Sequence, residues 1–587
     1  PEARVLVLLM LAMARMHRLP RARAFSGAAA DVIVVGGGHA GCEAAAAAAR
    51  CGARTVLVTQ HASTIGELSC NPSIGGVGKG HLVREIDALD GLMARCADEA
   101  GIHFRLLNRS KGPAVRGPRA QADRTLYKAA MQHAIATCPG LRVVEAAVDD
   151  LALHSTGAVA GVVTASGETI AARSVVLTAG TFLRGKIHIG RESRPAGRMV
   201  RESESGEVEP PTVGIAATLD RMGLPLARLK TGTPPRLDGR TIDWRHAGME
   251  LQPSEVPPVF FSYANVLRER PLAAALVDCF KCNTSDETHG IVRAERHMLP
   301  AYESGEGDGA GPRYCPSLHA KVTRFPERQS HVVWLEPEGL STHVVYPNGI
   351  SGAFPLDVQK RIVATLPGLK NCEIIQPGYD VEYDYVDARS LSHGLEVRPC
   401  EGLHLAGQIV GTTGYEEAAA LGLVAGVNAA SRALGRPPFE LGRAEGYMGV
   451  LIDDLVTRGT SEPYRMFTSR AEHRLLLRID NADARLTRRG ADAGVVSPGR
   501  LAAYRAKKAE VRAGEASLRA AVYPTRRWAQ HFTAGTNDAN GPRRSAAWVL
   551  ATYPAVTLSQ VEAWVDVMRA EDQAEPAAGG AAEGAAR

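Results

Sequence analysis

The residues that most clearly suggest chemistry are three glycines at a fixed spacing, Gly36, Gly38 and Gly41, in Asp31-Val-Ile-Val-Val-Gly-Gly-Gly-His-Ala-Gly-Cys-Glu43. The spacing is G-x-G-x-x-G, and it follows four apolar residues that read as a buried parallel strand and precedes an alanine run that opens a helix. Such a turn lets backbone approach a pyrophosphate, and the helix N-terminus offers unpaired N–H groups to its charge. This points to a dinucleotide cofactor, and so to an enzyme rather than a scaffold. An acid that grips the adenosine ribose is expected after the second strand. Thr59-Gln60 stands there instead, so the ribose contact must come from elsewhere.

Two cysteines sit where a nucleophile would be useful. Cys70 lies in Ser-Cys-Asn-Pro before a glycine-rich loop, with Lys79 and His81 nearby in sequence. A cationic setting with local N–H groups would favour a thiolate; a buried, inert cysteine is the competing reading. Cys315 lies in Gly-Pro-Arg-Tyr-Cys-Pro-Ser, where prolines hold the loop and Arg313 supplies charge; the alternative is a core cysteine in a tight turn. Cys279 and Cys282 form a lone C-x-x-C with no second pair at zinc-site spacing, so no metal is expected.

Basic residues form two groups. Lys111 and Arg116 flank Gly-Pro-Ala-Val, with Arg119 and Arg124 following in a helix-like segment. Arg458, Arg465, Arg470, Arg474, Arg478, Arg485, Arg488 and Arg489 are denser and interleave with Tyr464 and Phe467. Arginines with aromatics suit backbone phosphates and unstacked bases. Asp453, Asp454, Glu462, Glu472, Asp480 and Asp483 dilute that charge, so an internal salt-bridge network is a rival reading.

The elements that must position these residues read as α/β. Residues 31–60 are strand, glycine turn, helix, strand, and residues 141–180 are short strands ending at a glycine. Residues 403–426 are strand, glycine turn and small-residue helix, a second cofactor-type segment. The fold class is therefore α/β: a Rossmann-type dinucleotide domain assembled from distant segments, with an inserted α/β domain and a helical C-terminal region. The expected boundaries are 1–30 as leader, 31–235 and 351–440 as the two parts of the cofactor domain, and 236–350 as the insertion. Residues 441–572 read as mainly helical and 573–587 as a disordered tail.

The 587-residue chain exceeds one typical core, so two to four domains are expected. It is 45% apolar and 22% charged, as in ordinary globular proteins, and its net charge of +5 is too small to argue for nucleic acid by itself. Ten cysteines in so long a chain suggest a reducing compartment. Arg4, Arg15, Arg18, Arg21 and Arg23 against one acid, Glu2, suggest a mitochondrial transit peptide, with a secretory signal as rival. No membrane span is expected, because no run of about 20 apolar residues occurs.

Taken together, the motifs resemble the MnmG (GidA) family, which modifies the tRNA wobble uridine, and most closely its mitochondrial branch, the translation optimization proteins. The resemblance runs from about residue 31 to about residue 565. Besides the glycine turn it rests on Ser69-Cys-Asn-Pro-Ser-Ile-Gly-Gly-Val-Gly-Lys-Gly-His-Leu82, Lys111-Gly-Pro-Ala-Val115 and Leu229-Lys-Thr-Gly-Thr-Pro-Pro-Arg236. Gly311-Pro-Arg-Tyr-Cys-Pro-Ser317, Leu405-Ala-Gly-Gln-Ile-Val-Gly-Thr-Thr-Gly-Tyr-Glu-Glu417 and Glu462-Pro-Tyr-Arg-Met-Phe-Thr-Ser-Arg-Ala-Glu472 complete the set.

The resemblance implies an FAD enzyme in the mitochondrial matrix that works with an MnmE-type GTPase on U34 of tRNA. Methylenetetrahydrofolate and NADH are co-substrates, glycine, ammonium or taurine is the amine, and a homodimer is expected. It implies Cys70 and Cys315 as the catalytic cysteines. One thiolate adds at C6 of uridine, so that C5 attacks a one-carbon unit. It further implies cofactor contacts from Gly36, Gly37, Gly38, His39, Ala40, Gly41, Val148, Thr212, Gln376, Gly407 and Gln408. Gly311 and Arg313 belong to its NADH-binding segment, and Lys111, Arg116, Arg465, Arg470 and Arg474 contact RNA.

The chain departs from the family pattern at Cys282-Asn283-Thr284-Ser285, His473 and Ile479, and beyond Val561 it turns to Ala/Gly-rich sequence where the family continues, which puts GTPase docking in question. The competing functions are a folate- and FAD-dependent tRNA 5-methyluridine methyltransferase, a small-molecule FAD oxidoreductase, and a non-catalytic tRNA-binding assembly protein.

Overall fold

A computed structural model describes residues 30–200, 207–266, 275–300, 317–531 and 541–579. The leader, Gly311, Arg313 and Cys315 fall outside these residues. The chain divides into two compact units, Pro1–Arg500 and Leu501–Arg587.

The first unit is organised around a seven-stranded sheet. Val32, Ile33 and Val34 are wholly buried, and strand Ala30–Val35 lies at its centre. It pairs in parallel with Thr55–Thr59 on one side and Thr169–Leu177 on the other, Val34 facing Leu57 and Val176. Strand Leu141–Glu145 extends the first side, and Leu403–Leu405 pairs in parallel with Thr169–Leu177. The two segments that read as cofactor-type are thus brought to one sheet from about 370 positions apart in sequence, as expected for a doubly wound fold.

Two helices cross against each other beneath this sheet, His39–Arg50 and Tyr415–Ala433. Their contact explains the small residues. A Cβ on Gly422 would stand 2.0 Å from the Ala40 carbonyl oxygen, and one on Gly426 would stand 2.2 Å from that of Ala44. Backbones this close leave no room for larger side chains, and the buried alanine run Ala44, Ala45, Ala46, Ala47 and Ala48 provides the facing surface.

A six-stranded antiparallel sheet forms the inserted part, in the order Glu250–Gln252, Cys279–Asn283, Val332–Pro337, Val344–Asn348, Arg236–Asp238, Ile374–Gln376. The insertion does not close at residue 350 as the sequence suggests. Val358, Ile362, Val363, Leu366 and Leu369 belong to its apolar core, and Ile374–Gln376 is its edge strand. A four-stranded antiparallel sheet, in which Tyr379–Val386 pairs with the edge strand Leu226–Thr233, a two-stranded ribbon of Arg198–Met199 and Val208–Glu209, and a three-stranded sheet containing Gly117–Ala122 complete the first unit's sheets among the described residues. Arg119 therefore lies on a strand, not in the helix-like segment expected; the helix begins at Arg124, capped by the Asp123 carboxylate on Leu126 N–H.

In the second unit Trp528, Val549, Val561 and Met568 form a separate small core. Helix Leu558–Gly579 continues into the stretch expected to be disordered, where alanine favours helix. None of the described helices is long and apolar enough to cross a membrane.

Gly422→Ala should lower the thermal midpoint through overpacking that costs about 1–3 kcal/mol. Gly290→Ala, in helix Asp286–Ala294 with nothing within 4 Å of the added Cβ, should leave the midpoint unchanged or raise it. Thermal denaturation of the two variants beside the parent checks this.

Candidate active site

One cavity of about 380 Å³ opens along the C-terminal edge of the central sheet. Part of its wall is the glycine turn, from Gly36 to Ala40, with Gly180 and Thr181 from the end of the neighbouring strand. Gly36 has φ +107°, and a Cβ there would lie 2.7 Å from the Thr178 carbonyl oxygen, so the sharp strand-to-helix turn demands glycine. Gly41 does not line the cavity. Its Cβ would lie 1.7 Å from the Gly36 carbonyl oxygen, and its role is close packing of helix on turn.

These features fit a dinucleotide. Nothing lies within 4 Å of a Cβ on Gly38, so backbone is open at the helix start, and the exposed N–H groups there favour a phosphate. The ribose contact left open by Thr59-Gln60 has candidates on the same wall: Gln60, Thr64 and Glu67, the last bridged to Lys128 at 3.0 Å. Val148, Thr212, Gly407 and Gln408 also line the cavity. Gln376 does not: its strand pairs with Arg236 at the edge of the inserted sheet, which holds it away from the wall.

His39 is the first residue of its helix, is 6% exposed, and stacks on the Tyr415 ring at 4.5 Å. Burial pulls its imidazole down to about 4, so it is neutral at physiological pH.

Another part of the wall carries Cys70, Asn71, Ser73, Tyr346, Asn348 and Tyr415. Cys70 is half-buried, and its backbone is tightly held. Its N–H donates to Tyr415 Oη at 2.6 Å. Its carbonyl accepts from Arg236 Nη2 at 2.9 Å and from Arg124 Nη2, while Arg124 Nη1 donates to the Leu68 carbonyl. Both guanidiniums meet the Glu338 carboxylate, at 2.7 Å from Arg124 and 2.9 Å from Arg236, and all three side chains are at most 5% exposed. The cationic setting that sequence proximity assigned to Lys79 and His81 is thus supplied by other residues. Lys79 is paired with Glu416 at 2.8 Å and Glu417 at 2.9 Å, and His81 is buried against Tyr447. Arg124, Arg236, Glu338 and Tyr346 were missed as partners of Cys70, because pairing in the inserted sheet brings the last three there and Arg124 arrives from the start of a separate helix, neither of which local spacing shows.

Cys279 and Cys282 sit three apart on one strand and so point to opposite faces, which prevents a shared metal. Both are buried, and burial pushes the Cys282 thiol up to about 12. No cluster of three metal-ligating side chains occurs among the described residues.

The arginine-rich region behaves largely as the rival reading had it. Tyr464 is 3% exposed, donates to Asp454 at 2.7 Å and lies beneath the Arg470 guanidinium at 4.2 Å, so it offers no free ring to a base. Arg478 pairs with Asp480, Arg485 with Glu85 and Arg489 with Glu445. Arg465 lines the cavity. Arg474 is exposed beside His473, Leu475 and Leu476, and Lys111 is exposed, while Arg116 Nε is turned onto the Arg109 carbonyl at 3.1 Å. Of the departures from the family pattern, Ser285 caps helix Asp286–Ala294, and Ile479 is buried, its carbonyl accepting from Tyr263 Oη at 2.7 Å.

Comparison with known proteins follows the same outline. Residues 31–437 match the family described as glucose inhibited division protein A. The tRNA uridine 5-carboxymethylaminomethyl modification enzyme MnmG of Granulibacter bethesdensis is 56% identical over 482 residues, 82% of this chain and 74% of that protein. Two crystal forms of Aquifex aeolicus GidA superpose with TM-scores of 0.83 and 0.79 at 40% and 41% identity. They cover 92% and 91% of this chain, and each is itself covered to 84%.

Glu338→Gln should destabilise the first unit by about 3–5 kcal/mol, because it leaves two buried guanidiniums uncompensated. Asp480→Asn, which removes an exposed partner of Arg478, should cost no more than about 1 kcal/mol. Urea denaturation of both variants measures the contrast.

Proposed function

Because the chain belongs to the glucose inhibited division protein A (GidA, MnmG) family of tRNA-modifying enzymes, we propose that it modifies C5 of the wobble uridine, U34, of tRNA. The observation that carries this reading is that one cavity is walled both by the dinucleotide turn and by Cys70.

The chain's own residues divide the work. The Gly36–Ala40 turn and the start of helix His39–Arg50 hold the pyrophosphate of FAD through backbone N–H groups. Gly407 and Gln408 border the same space, ahead of the second helix. FAD held there would, in its reduced form, activate a one-carbon unit from methylenetetrahydrofolate for attack, with NADH as the reductant that keeps it reduced. The Cys70 thiolate adds at C6 of the uracil, and the C5=C6 electron pair moves towards C5 and O4. C5 then bonds to the one-carbon unit as an electron pair moves to its carrier nitrogen; a base takes the C5 proton, the sulfur leaves as C5=C6 is restored, and the amine displaces the carrier nitrogen. Arg124 and Arg236, by holding the Cys70 carbonyl, fix the backbone from which that sulfur projects. Cys315 is the second cysteine of this reading, with Gly311 and Arg313 in the segment assigned to NADH.

The reading extends to an MnmE-type GTPase partner, a homodimer, and glycine, ammonium or taurine as the amine. Lys111, Arg116, Arg465, Arg470 and Arg474 are its tRNA contacts; the exposure of Lys111 and Arg474 supports the surface ones. The arginine-rich start of the chain supports a mitochondrial address and the mitochondrial branch of the family.

Purified protein given FAD, NADH, methylenetetrahydrofolate, GTP, the GTPase and unmodified tRNA should yield a mass increment confined to U34, which also identifies the amine. Cys70→Ser should bind flavin normally and lose about 10³-fold or more of the modification rate. Full activity in that variant contradicts the assignment of Cys70.

A further inference from the structure

The backbone of Cys70 is pinned on both sides, but its sulfur is not. Among the described residues the sulfur has two polar neighbours within contact distance, Gly232 O at 3.8 Å and Tyr346 Oη at 3.5 Å. These two neighbours are chemically different. A carbonyl oxygen can only accept, so it suits a thiol and repels a thiolate. A phenol can donate, so it suits a thiolate.

Tyr346 is built for one position. It lies on strand Val344–Asn348 of the inserted sheet, is 2% exposed, and has the Arg236 guanidinium over its ring at 4.9 Å. Arg236 is itself locked by Glu338, by Thr233 Oγ1 at 2.6 Å and by the Cys70 carbonyl. One arginine therefore carries the tyrosine ring on its face and the cysteine backbone on its edge, and sets the spacing between phenol and sulfur. The sulfur is the only hydrogen-bond partner of Tyr346 Oη among the described residues. Burial keeps this phenol well above its ordinary value, so its proton stays in place. The ionisable groups around the pair are Arg124, Arg236, Glu338, Tyr379 and Tyr415.

We propose that Tyr346 is a positioning residue for Cys70: its O–H donates to the sulfur and holds it, as a thiolate, towards the cavity. The proton lost by the thiol goes to solvent, and the phenol keeps its own. As the sulfur turns from the Gly232 carbonyl to the phenol, it exchanges an acceptor for a donor. The significance of this for catalysis rests on the reading of Cys70 as nucleophile given above.

The test is carbamidomethylation of Cys70 by iodoacetamide in the flavin-loaded protein, followed by the mass of the Cys70 peptide across a pH series. Tyr346→Phe removes one oxygen and keeps the ring under Arg236. It should slow labelling about 3- to 10-fold near about pH 7, because the sulfur loses its donor. Its tRNA modification rate should fall with the labelling rate, while flavin content stays at the parent value. If Tyr346→Phe fails to fold, 3-fluorotyrosine at position 346 replaces it. The more acidic phenol is a stronger donor and should speed labelling near neutrality. Superimposable pH profiles in the variant and parent overturn the proposal. A shifted profile together with a fully active Cys70→Ser enzyme upholds the hydrogen bond and overturns only the nucleophile reading.

Discussion

The site depends on one buried carboxylate, Glu338, shared by two buried guanidiniums. Arg124 starts a helix of the dinucleotide region, Arg236 and Glu338 belong to the inserted part, and both arginines reach the backbone of residues 68–70. Taking such charges out of water costs several kcal/mol per ion, and that cost is offset only where geometry and hydrogen bonds are complete. Here the arginines also meet main-chain carbonyls, although Arg124 Nε is buried without a hydrogen-bond partner among the described residues. What the arrangement gives in return is position: segments far apart in sequence converge on the loop that presents Cys70.

A second constraint places the cofactor end of the cavity. Helices His39–Arg50 and Tyr415–Ala433 meet backbone to backbone through Gly422 and Gly426, which brings both helix starts to the same edge of the sheet. Glu416 and Glu417, in the first turn of the second helix, suit its positive end and also hold Lys79. Lys79 therefore serves the junction between this helix and the loop after Cys70, instead of acting as a free cation near the sulfur. The two constraints meet at Tyr415, whose ring stacks on His39 and whose hydroxyl accepts the Cys70 N–H.

The dinucleotide turn was legible because its logic is local: four apolar residues, glycines at fixed offsets and an alanine run appear side by side in the chain. The joining of residues 30–35 with residues 403–405 in one sheet was legible for the same reason, each segment carrying its own strand–turn–helix signature. The partners of Cys70 were not legible, since Glu338 and Tyr346 become neighbours of it only through antiparallel pairing within the inserted sheet. The arginine-rich region shows the limit of composition. Tyr464 and Arg470 look like a base-stacking platform in sequence, and in the fold they stack on each other above Asp454. The end of the insertion was misplaced because the helix and edge strand after residue 350 complete a core begun more than a hundred residues earlier.

In the proposed function the dinucleotide turn and the Cys70 sulfur serve a single reaction space. The most direct measurement is the visible absorption of the bound flavin while Cys70 is alkylated, with labelling counted by peptide mass. A shared space should give a spectral change that grows in proportion to Cys70 labelling and is absent in Cys70→Ser. Complete labelling of Cys70 with the spectrum of the bound flavin unchanged would contradict it.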